Sequence, residues 1–132
     1  MKKIRVILVM LLVLTMSIFG LSGCKDDDSK TVEPTVFEQF ENALIEKNLT
    51  FEKVTMAADL VGAEQGIKYK LQNENVELYR FDTSSDSYVV AEETQSLKMD
   101  GFGSFDATVI DGYAMLSDNL EFINIFKGIM NN

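Results

Sequence analysis

The stretch FDATVIDGYAMLS at residues 105–117 carries the clearest fold signal in the chain. Apolar side chains at Phe105, Ala107 and Val109 alternate with polar ones, as they do along a half-buried strand. The dipeptide Asp111-Gly112 follows, and Asp-Gly is a favoured two-residue hairpin turn because both positions tolerate positive φ. Residues 113–117 would then return antiparallel to the strand. The stretch predicts a β-hairpin.

A second hairpin is predicted upstream. Ile67, Tyr69 and Leu71 alternate with polar residues, which is the period of a strand. The polar run 73–75 has the composition of a turn, and the mixed segment 76–81 forms the returning strand. A shorter strand is expected over residues 49–56. Two hairpins and this extra strand predict a sheet of about five strands.

Three helices are predicted around these strands. Thr35 and Glu38 form a capping-box pair at the start of the first helix, and Asp118 and Glu121 repeat that spacing at the start of the last. The middle helix is expected over residues 84–97. In each helix, residues recur at helical spacing. They are Phe37, Phe40 and Leu44 in the first helix, Tyr88, Ala91, Glu92 and Gln95 in the middle one, and Leu120, Ile123, Phe126 and Met130 in the last. A helical turn is also expected around residues 58–61, ending at Gly62.

The order helix, strand, hairpin, helix, hairpin, helix predicts an α+β fold. We expect an antiparallel sheet of about five strands with the helices packed on one face. A single domain over residues 36–132 accounts for all of these elements, because about 100 residues can bury one modest core.

The N-terminal residues have the pattern of an export signal. Lys2, Lys3 and Arg5 form a basic segment, and residues 6–21 are almost entirely apolar. The alternative is an uncleaved membrane anchor, since the apolar run is only slightly shorter than the roughly 20 residues of a spanning helix. Both interpretations place residues 25–132 outside the cytoplasm.

The quartet Leu21-Ser22-Gly23-Cys24 that ends this run resembles the lipobox of bacterial lipoproteins at each of its four positions. The resemblance implies that the Cys24 thiol receives a diacylglyceryl group and that a signal peptidase removes residues 1–23. Residues 24–35, with Asp26-Asp27-Asp28, have the composition of a solvated tether. We therefore expect the lipid bilayer as a partner and the extracytoplasmic face of the cell membrane as the location.

The charge of the chain excludes one class of partner. The formal charge is −9, and removal of Lys2, Lys3 and Arg5 would leave nine cations against 21 anions, a charge of −12. Nucleic acids and anionic membrane surfaces attract basic proteins, so neither is an expected partner of the domain itself. The single cysteine, Cys24, leaves the predicted domain without a disulfide.

Few residues in the chain suggest catalysis. There is no histidine and no tryptophan, and the one thiol lies at the predicted lipidation site. The usual general base and thiol nucleophile are therefore missing. Carboxylates could serve as acid and base, but no diagnostic pairing stands out among Asp82, Asp86, Glu92, Glu93, Asp106 and Asp111. We expect neither an enzyme nor a cofactor.

Residues 82–93 suggest a metal site, with an alternative. Asp82, Ser84, Asp86 and Glu93 occupy positions one, three, five and twelve of an EF-hand calcium loop. Ser87 stands at position six, where that loop requires glycine. The alternative, which we favour, is that Asp82 ends a strand while Thr83, Ser84 or Asp86 caps the next helix, because these residue types do so often.

Five aromatic residues could form a face that stacks on sugars or peptides. They are Tyr69, Tyr79, Tyr88, Phe102 and Tyr113. The alternative is that they simply cover the sheet as part of its core. Aromatic side chains on alternating strand positions more often belong to a core than to a binding face.

The sequence pattern of segments 66–69, 77–82 and 101–105 resembles that of a group of small surface lipoproteins of Gram-positive bacteria to which no activity is assigned. That resemblance implies no site. We expect a non-catalytic binding or interaction module, with another envelope protein as a possible partner. The alternative is a small-ligand or calcium-binding lipoprotein. A pocket with converging polar groups would favour the ligand binder, and a flat apolar patch the interaction module.

Overall fold

The computed structural model describes residues 33–132, and the predicted signal segment, lipobox and most of the tether lie outside that range. The helices are α1 (Val36–Glu46), α2 (Asp86–Thr94) and α3 (Leu120–Met130), with a 3₁₀ turn at Ala58–Val61. The strands are β1 (Glu52–Thr55), β2 (Gln65–Lys70), β3 (Asn75–Arg80), β4 (Ser96–Met99), β5 (Gly103–Asp106), β6 (Thr108–Ile110) and β7 (Tyr113–Leu116).

Five strands form one antiparallel sheet in the order β1-β2-β3-β7-β6, and β4 and β5 form a separate two-stranded sheet. The predicted α+β class and five-stranded antiparallel sheet are therefore confirmed. Among the described residues, no helix is long and apolar enough to span a membrane.

Both predicted hairpins are present. Ile110 pairs with Tyr113 across the turn, and Asp111 and Gly112 have φ values of 45° and 86°. Two positive φ values in succession define the turn that matches the twist of the flanking strands. In the upstream hairpin, Lys70 pairs with Asn75, so β3 begins at the last residue of the predicted turn.

The prediction of one continuous strand over residues 105–109 is wrong. β5 ends at Asp106 and belongs to the small sheet, whereas β6 begins at Thr108 in the main sheet. The chain changes sheets at Ala107, whose N–H donates to the carbonyl of Gln95 at 2.9 Å. Alternation alone could not reveal this change, because the apolar period continues through it.

The middle helix is shorter than predicted. It ends at Thr94 because Gln95 adopts the left-handed conformation, with φ of 49°. Leu97 therefore lies in β4, where it is buried, instead of in the last helical turn. Of the four residues at the predicted helical spacing, Tyr88 and Ala91 are buried, whereas Glu92 and Gln95 are exposed.

The caps of the outer helices differ in outcome. The capping box of Thr35 and Glu38 is confirmed in both directions. The one predicted at Asp118 is wrong, because Asn119 is the N-cap and accepts a hydrogen bond from the Glu121 N–H at 2.9 Å.

The buried residues of α3 also differ from those predicted. Phe126 is buried as expected, but it is joined by Phe122, and Ile125 and Ile129 pack partly buried beside them. Leu120 is 72% exposed. The helix turns its two phenylalanines toward the core, because these large rings bury the most apolar surface.

The core consists of two clusters on opposite faces of the main sheet. Along β3, Val76 and Leu78 join the cluster with α1 and α3, whereas Tyr79 joins the cluster with α2, the 3₁₀ turn and β4. Successive strand residues point to opposite faces, so these clusters lie on either side of the sheet. α1 and α3 pack on one face of the main sheet, as predicted. α2 packs on the other face, where no helix was expected.

Candidate functional site

An open groove of about 510 Å³ lies between the small sheet and one end of the main sheet. Four separate segments form its wall. Its lining residues are Asn75, Glu77, Met99, Ser104, Phe105, Asp106, Leu116, Ser117 and Asp118. This volume lies within the range of small-molecule and peptide sites.

The groove exists because the chain leaves the main sheet at Ala107. β6 pairs with β7 only as far as Thr108, opposite Met115. Leu116 therefore has β3 on one side but no β6 residue on the other. The small sheet occupies a different layer, so the space where β6 would have continued stays open.

Three apolar side chains, those of Met99, Phe105 and Leu116, contribute to the wall of the groove. Leu97 is buried, and Met99 and Phe105 share its side of the small sheet, because strand side chains alternate and Phe105 pairs with Leu97. Leu116 packs against the cluster on the facing side of the main sheet. Phe105 remains 42% exposed and lines the groove. Apolar side chains in the wall of a groove can bury part of a ligand.

The rim of the groove is acidic. Asp106, Asp118 and Glu77 line it, the last already paired with Lys68 at 3.0 Å, and no lysine or arginine belongs to the lining. Asp106 and Asp118 are both exposed. Like charges gathered around a concave surface raise the local concentration of ions of the opposite sign. The groove is therefore suited to a cationic ligand.

Glu77 is fixed by two neighbours from the same face of the sheet. Its carboxylate lies 3.0 Å from the Lys68 ammonium and accepts a hydrogen bond from the Tyr79 hydroxyl at 2.7 Å. Burial raises the pKa of Tyr79, and the hydrogen bond to Glu77 and the charge of that carboxylate raise it further. Tyr79 thus stays protonated and holds the Glu77 carboxylate in place.

A smaller cavity of about 300 Å³ lies between the 3₁₀ turn, α2 and β4. Half-exposed Leu60 and Val90 contribute apolar surface. Its lining also mixes charges, because Lys98 lies there with three aspartates, Asp59, Asp86 and Asp100. The smaller volume and mixed charge make it a weaker candidate than the groove.

The proposed calcium-loop residues do not converge. Asp82 accepts hydrogen bonds from the N–H and hydroxyl of Ser84 at 2.9 and 2.6 Å, which lowers the pKa of the Asp82 carboxyl. Asp86 and Glu93 lie seven residues apart on α2, roughly 10 Å along the helix axis. Within residues 33–132, no cluster of three or more carboxylates could hold a metal ion.

The helix that follows this loop is capped by Ser85, whose hydroxyl accepts a hydrogen bond from the Tyr88 N–H. The favoured interpretation, a strand end followed by a helix cap, gives the right type of structure, although β3 ends at Arg80 and not at Asp82. The capping residue itself was predicted wrongly, since Thr83, Ser84 and Asp86 do not occupy the N-cap position.

The aromatic residues do not share a binding face. Tyr69, Tyr79 and Tyr88 are buried, the first in one core cluster and the other two in the second. Tyr113 packs partly buried against the first cluster, and only Phe102, 73% exposed, is available to a ligand. The tyrosines cover the two faces of the sheet, as the alternative interpretation held.

The possible catalytic carboxylates are distributed over different parts of the domain. Asp106 lines the groove and Asp86 the smaller cavity. Glu92 accepts a hydrogen bond from the Tyr88 hydroxyl, and Asp111 lies in the hairpin turn. Of the six named from the sequence, Asp106 alone contributes to the groove. Cys24 lies outside the described residues.

No pattern in the sequence indicated the other residues that line the groove. Asn75, Leu116 and Asp118 come together only because the chain changes sheets at Ala107. In comparisons with known proteins, no family model, no curated protein and no solved structure matches the chain. The groove is therefore interpreted from its own geometry and charge.

Proposed function

We propose that this chain is a bacterial lipoprotein, held on the extracytoplasmic face of the cell membrane by acylated Cys24, whose domain is a non-catalytic binding module. The order of basic residues, apolar run, Leu21-Ser22-Gly23-Cys24 and polar spacer supports the anchor. The acidic groove, whose wall also contains Met99, Phe105 and Leu116, is the observation that supports binding. The ligand class it favours is cationic.

The anchor and the charge of the domain fit each other. Two acyl chains on one cysteine meet the requirement for stable attachment to a bilayer. A mature chain with a formal charge of −12 is repelled by anionic headgroups, so the domain itself does not settle on the surface. Residues 24–35 would hold it near the membrane with the groove free.

The carboxylates of the groove support binding in preference to catalysis. An acid–base mechanism needs a carboxylate that is free to exchange a proton with the substrate. The Glu77 carboxylate is already engaged by Lys68 and Tyr79. Asp106 and Asp118 are exposed, and exposed carboxylates offer charge without the burial that tunes a catalytic acid.

Replacing Cys24 with alanine tests the anchor. We expect Cys24→Ala to lose the acyl group and either to accumulate as unprocessed precursor or to leave the membrane fraction. Ser29→Ala in the tether is the matched control and should be retained normally. Fractionation and intact mass measure both outcomes. Membrane retention of a processed chain that carries no acyl group would refute the lipoprotein assignment.

Thermal melting of residues 25–132 tests the groove, since Pro34–Asn132 is a compact unit with its own core. Spermidine and trilysine should raise the melting temperature, and triglutamate should not. A ligand at about a hundred times its Kd adds about 2.7 kcal/mol, or about 13 °C in a domain this size.

Two double variants, each lacking two carboxylate charges, show where the cations bind. Asp106→Asn/Asp118→Asn should lose most of the stabilisation by the cations, because both carboxylates line the groove. Asp59→Asn/Asp100→Asn removes the same charge from the smaller cavity and should keep it. If the two double variants respond alike, the groove is not the binding site.

A further inference from the structure

β5 has an open edge beside the groove. All four of its residues, Gly103–Asp106, are exposed. The Ala107 N–H donates a hydrogen bond to the Gln95 carbonyl, so Ala107 and Gln95 form a hydrogen-bonded pair of the β4–β5 ladder. Because hydrogen-bonded and non-bonded pairs alternate in an antiparallel ladder, the N–H and C=O groups of Ser104 and Asp106 point away from β4.

The outer edges of the main sheet differ from this one. At β6, the Gln95 side chain accepts a hydrogen bond from the Val109 N–H at 3.0 Å and donates one to its carbonyl at 3.2 Å. The Gln95 amide thus takes the place of a neighbouring strand. At β1, the charged pair of Lys53 and Glu41, 3.0 Å apart, lies beside the strand. Charged side chains are a common protection of sheet edges.

We propose that the β5 edge binds an extended basic peptide segment as an added strand, with alternate side chains of that segment in the acidic groove. This inference rests on the proposed function and names its ligand class. Addition of a strand to an exposed edge is an established mode of peptide recognition: main-chain hydrogen bonds supply affinity and pockets for alternate side chains supply specificity.

The groove lies where those alternate side chains would point. A strand beside β5 places every second side chain on the inner face of the small sheet, between Phe105 and Leu116. Lysine or arginine fits there, because its methylene stem can cover apolar surface while its charged end reaches a carboxylate. Asp118 supplies such a carboxylate on the main-sheet side of the groove, and Asp106 supplies one on β5 itself.

The probe for this proposal is an octapeptide of alternating lysine and valine, and a glutamate–valine octapeptide is its control. Binding to residues 25–132 is measured by fluorescence anisotropy. Two methylated forms of the probe separate main-chain pairing from charge attraction. Methylation of every lysine amide removes the donors along one edge of the extended peptide, and methylation of every valine amide removes those along the other.

Pairing with β5 predicts that one methylated form binds at least about tenfold more weakly, since it loses several hydrogen bonds, while the other binds like the parent. Peptide bound through its charges alone would respond equally to both modifications. Equal responses would overturn the strand pairing and leave the groove as a cation site.

Two substitutions at Asp106 test the same main-chain pairing by changing the domain instead of the peptide. Asp106→Ala removes the carboxylate, whereas Asp106→Pro also removes the outward N–H. Proline is tolerated at an edge-strand position whose N–H faces solvent, so β4 pairing should survive. We expect the proline variant to bind the probe at least about fivefold more weakly than the alanine variant. If both variants fold and bind the probe equally well, the proposal is refuted. If the proline variant does not fold, the methylated probes test the strand pairing instead.

The outcomes also separate this inference from the proposed function. If spermidine and trilysine stabilise the domain but the octapeptide does not bind, the edge-pairing inference fails and the cationic groove remains. If neither the small cations nor the octapeptide binds, both fail together. Preference for the glutamate–valine peptide would contradict the charge argument on which both depend.

Discussion

Gln95→Ala should destabilise the domain, because one amide side chain completes the edge of the main sheet. Gln95 donates to the carbonyls of Val109 and Glu92 at 3.2 and 3.0 Å and accepts from the Val109 N–H at 3.0 Å. Each such bond contributes about 1 kcal/mol net. Val109 is 5% exposed, so its main-chain groups regain little water when the amide is removed.

The loss should be about 2 kcal/mol, since the exposed Glu92 carbonyl can bind water instead. That corresponds to about 10 °C in the melting temperature of a domain of this size. Gln95→Gly is the matched control. It loses the same hydrogen bonds but relieves the left-handed conformation at φ of 49°, which costs an L-residue about 1 kcal/mol.

Urea unfolding of the two variants measures both effects. We expect Gln95→Ala to be the least stable and Gln95→Gly to lie between it and the native sequence. An alanine variant within about 0.5 kcal/mol of the native domain would refute the role of the amide, given that surface substitutions have effects of that size. A glycine variant less stable than the alanine variant would refute the backbone argument.

Three further substitutions or conditions test the packing of the sheet. Tyr88→Phe should cost about 1 to 3 kcal/mol in urea unfolding, because the Tyr88 hydroxyl accepts the buried N–H of the hairpin-turn glycine at 2.8 Å; an unchanged midpoint would contradict this. Gly66→Ala should destabilise the domain, since the new methyl group would lie 2.5 Å from the Tyr79 ring. Gly128→Ala in α3 meets no neighbour and should stabilise the domain by up to about 1 kcal/mol. Equal effects of the two substitutions would refute the close approach at Gly66. Burial raises the pKa of both Tyr69 and Tyr79, so the unfolded chain releases their protons near pH 10 while the folded chain keeps them. The free energy of unfolding should therefore fall as the pH rises above about 10, and a flat stability profile there would contradict the assignment.

The parts of the fold that the sequence predicted correctly depend on local interactions. The hairpin turn at Asp111-Gly112 and the capping box of Thr35 and Glu38 both involve residues at most three positions apart. Local chemistry decides such features. The same reasoning predicted a loop with a helix cap before α2, although it chose the wrong capping residue and missed both ends of the loop by about two residues.

The parts that were missed depend on residues far apart in the chain. Gln95 carries no sequence signal for a left-handed conformation, yet its conformation ends α2 and starts β4. At the change of sheets, the Ala107 N–H donates a hydrogen bond to the carbonyl of that same residue. The groove results from both events, so alternation patterns along the sequence could not predict it.

The location of ligand binding is the central claim, and amide chemical-shift mapping of isotope-labelled residues 25–132 with the lysine–valine octapeptide tests it most directly. The groove and the open edge predict that the largest shifts fall at Ser104, Asp106 and Ser117. Shifts concentrated around Leu60 and Val90 at the smaller cavity, or no shift at saturating peptide, would contradict it.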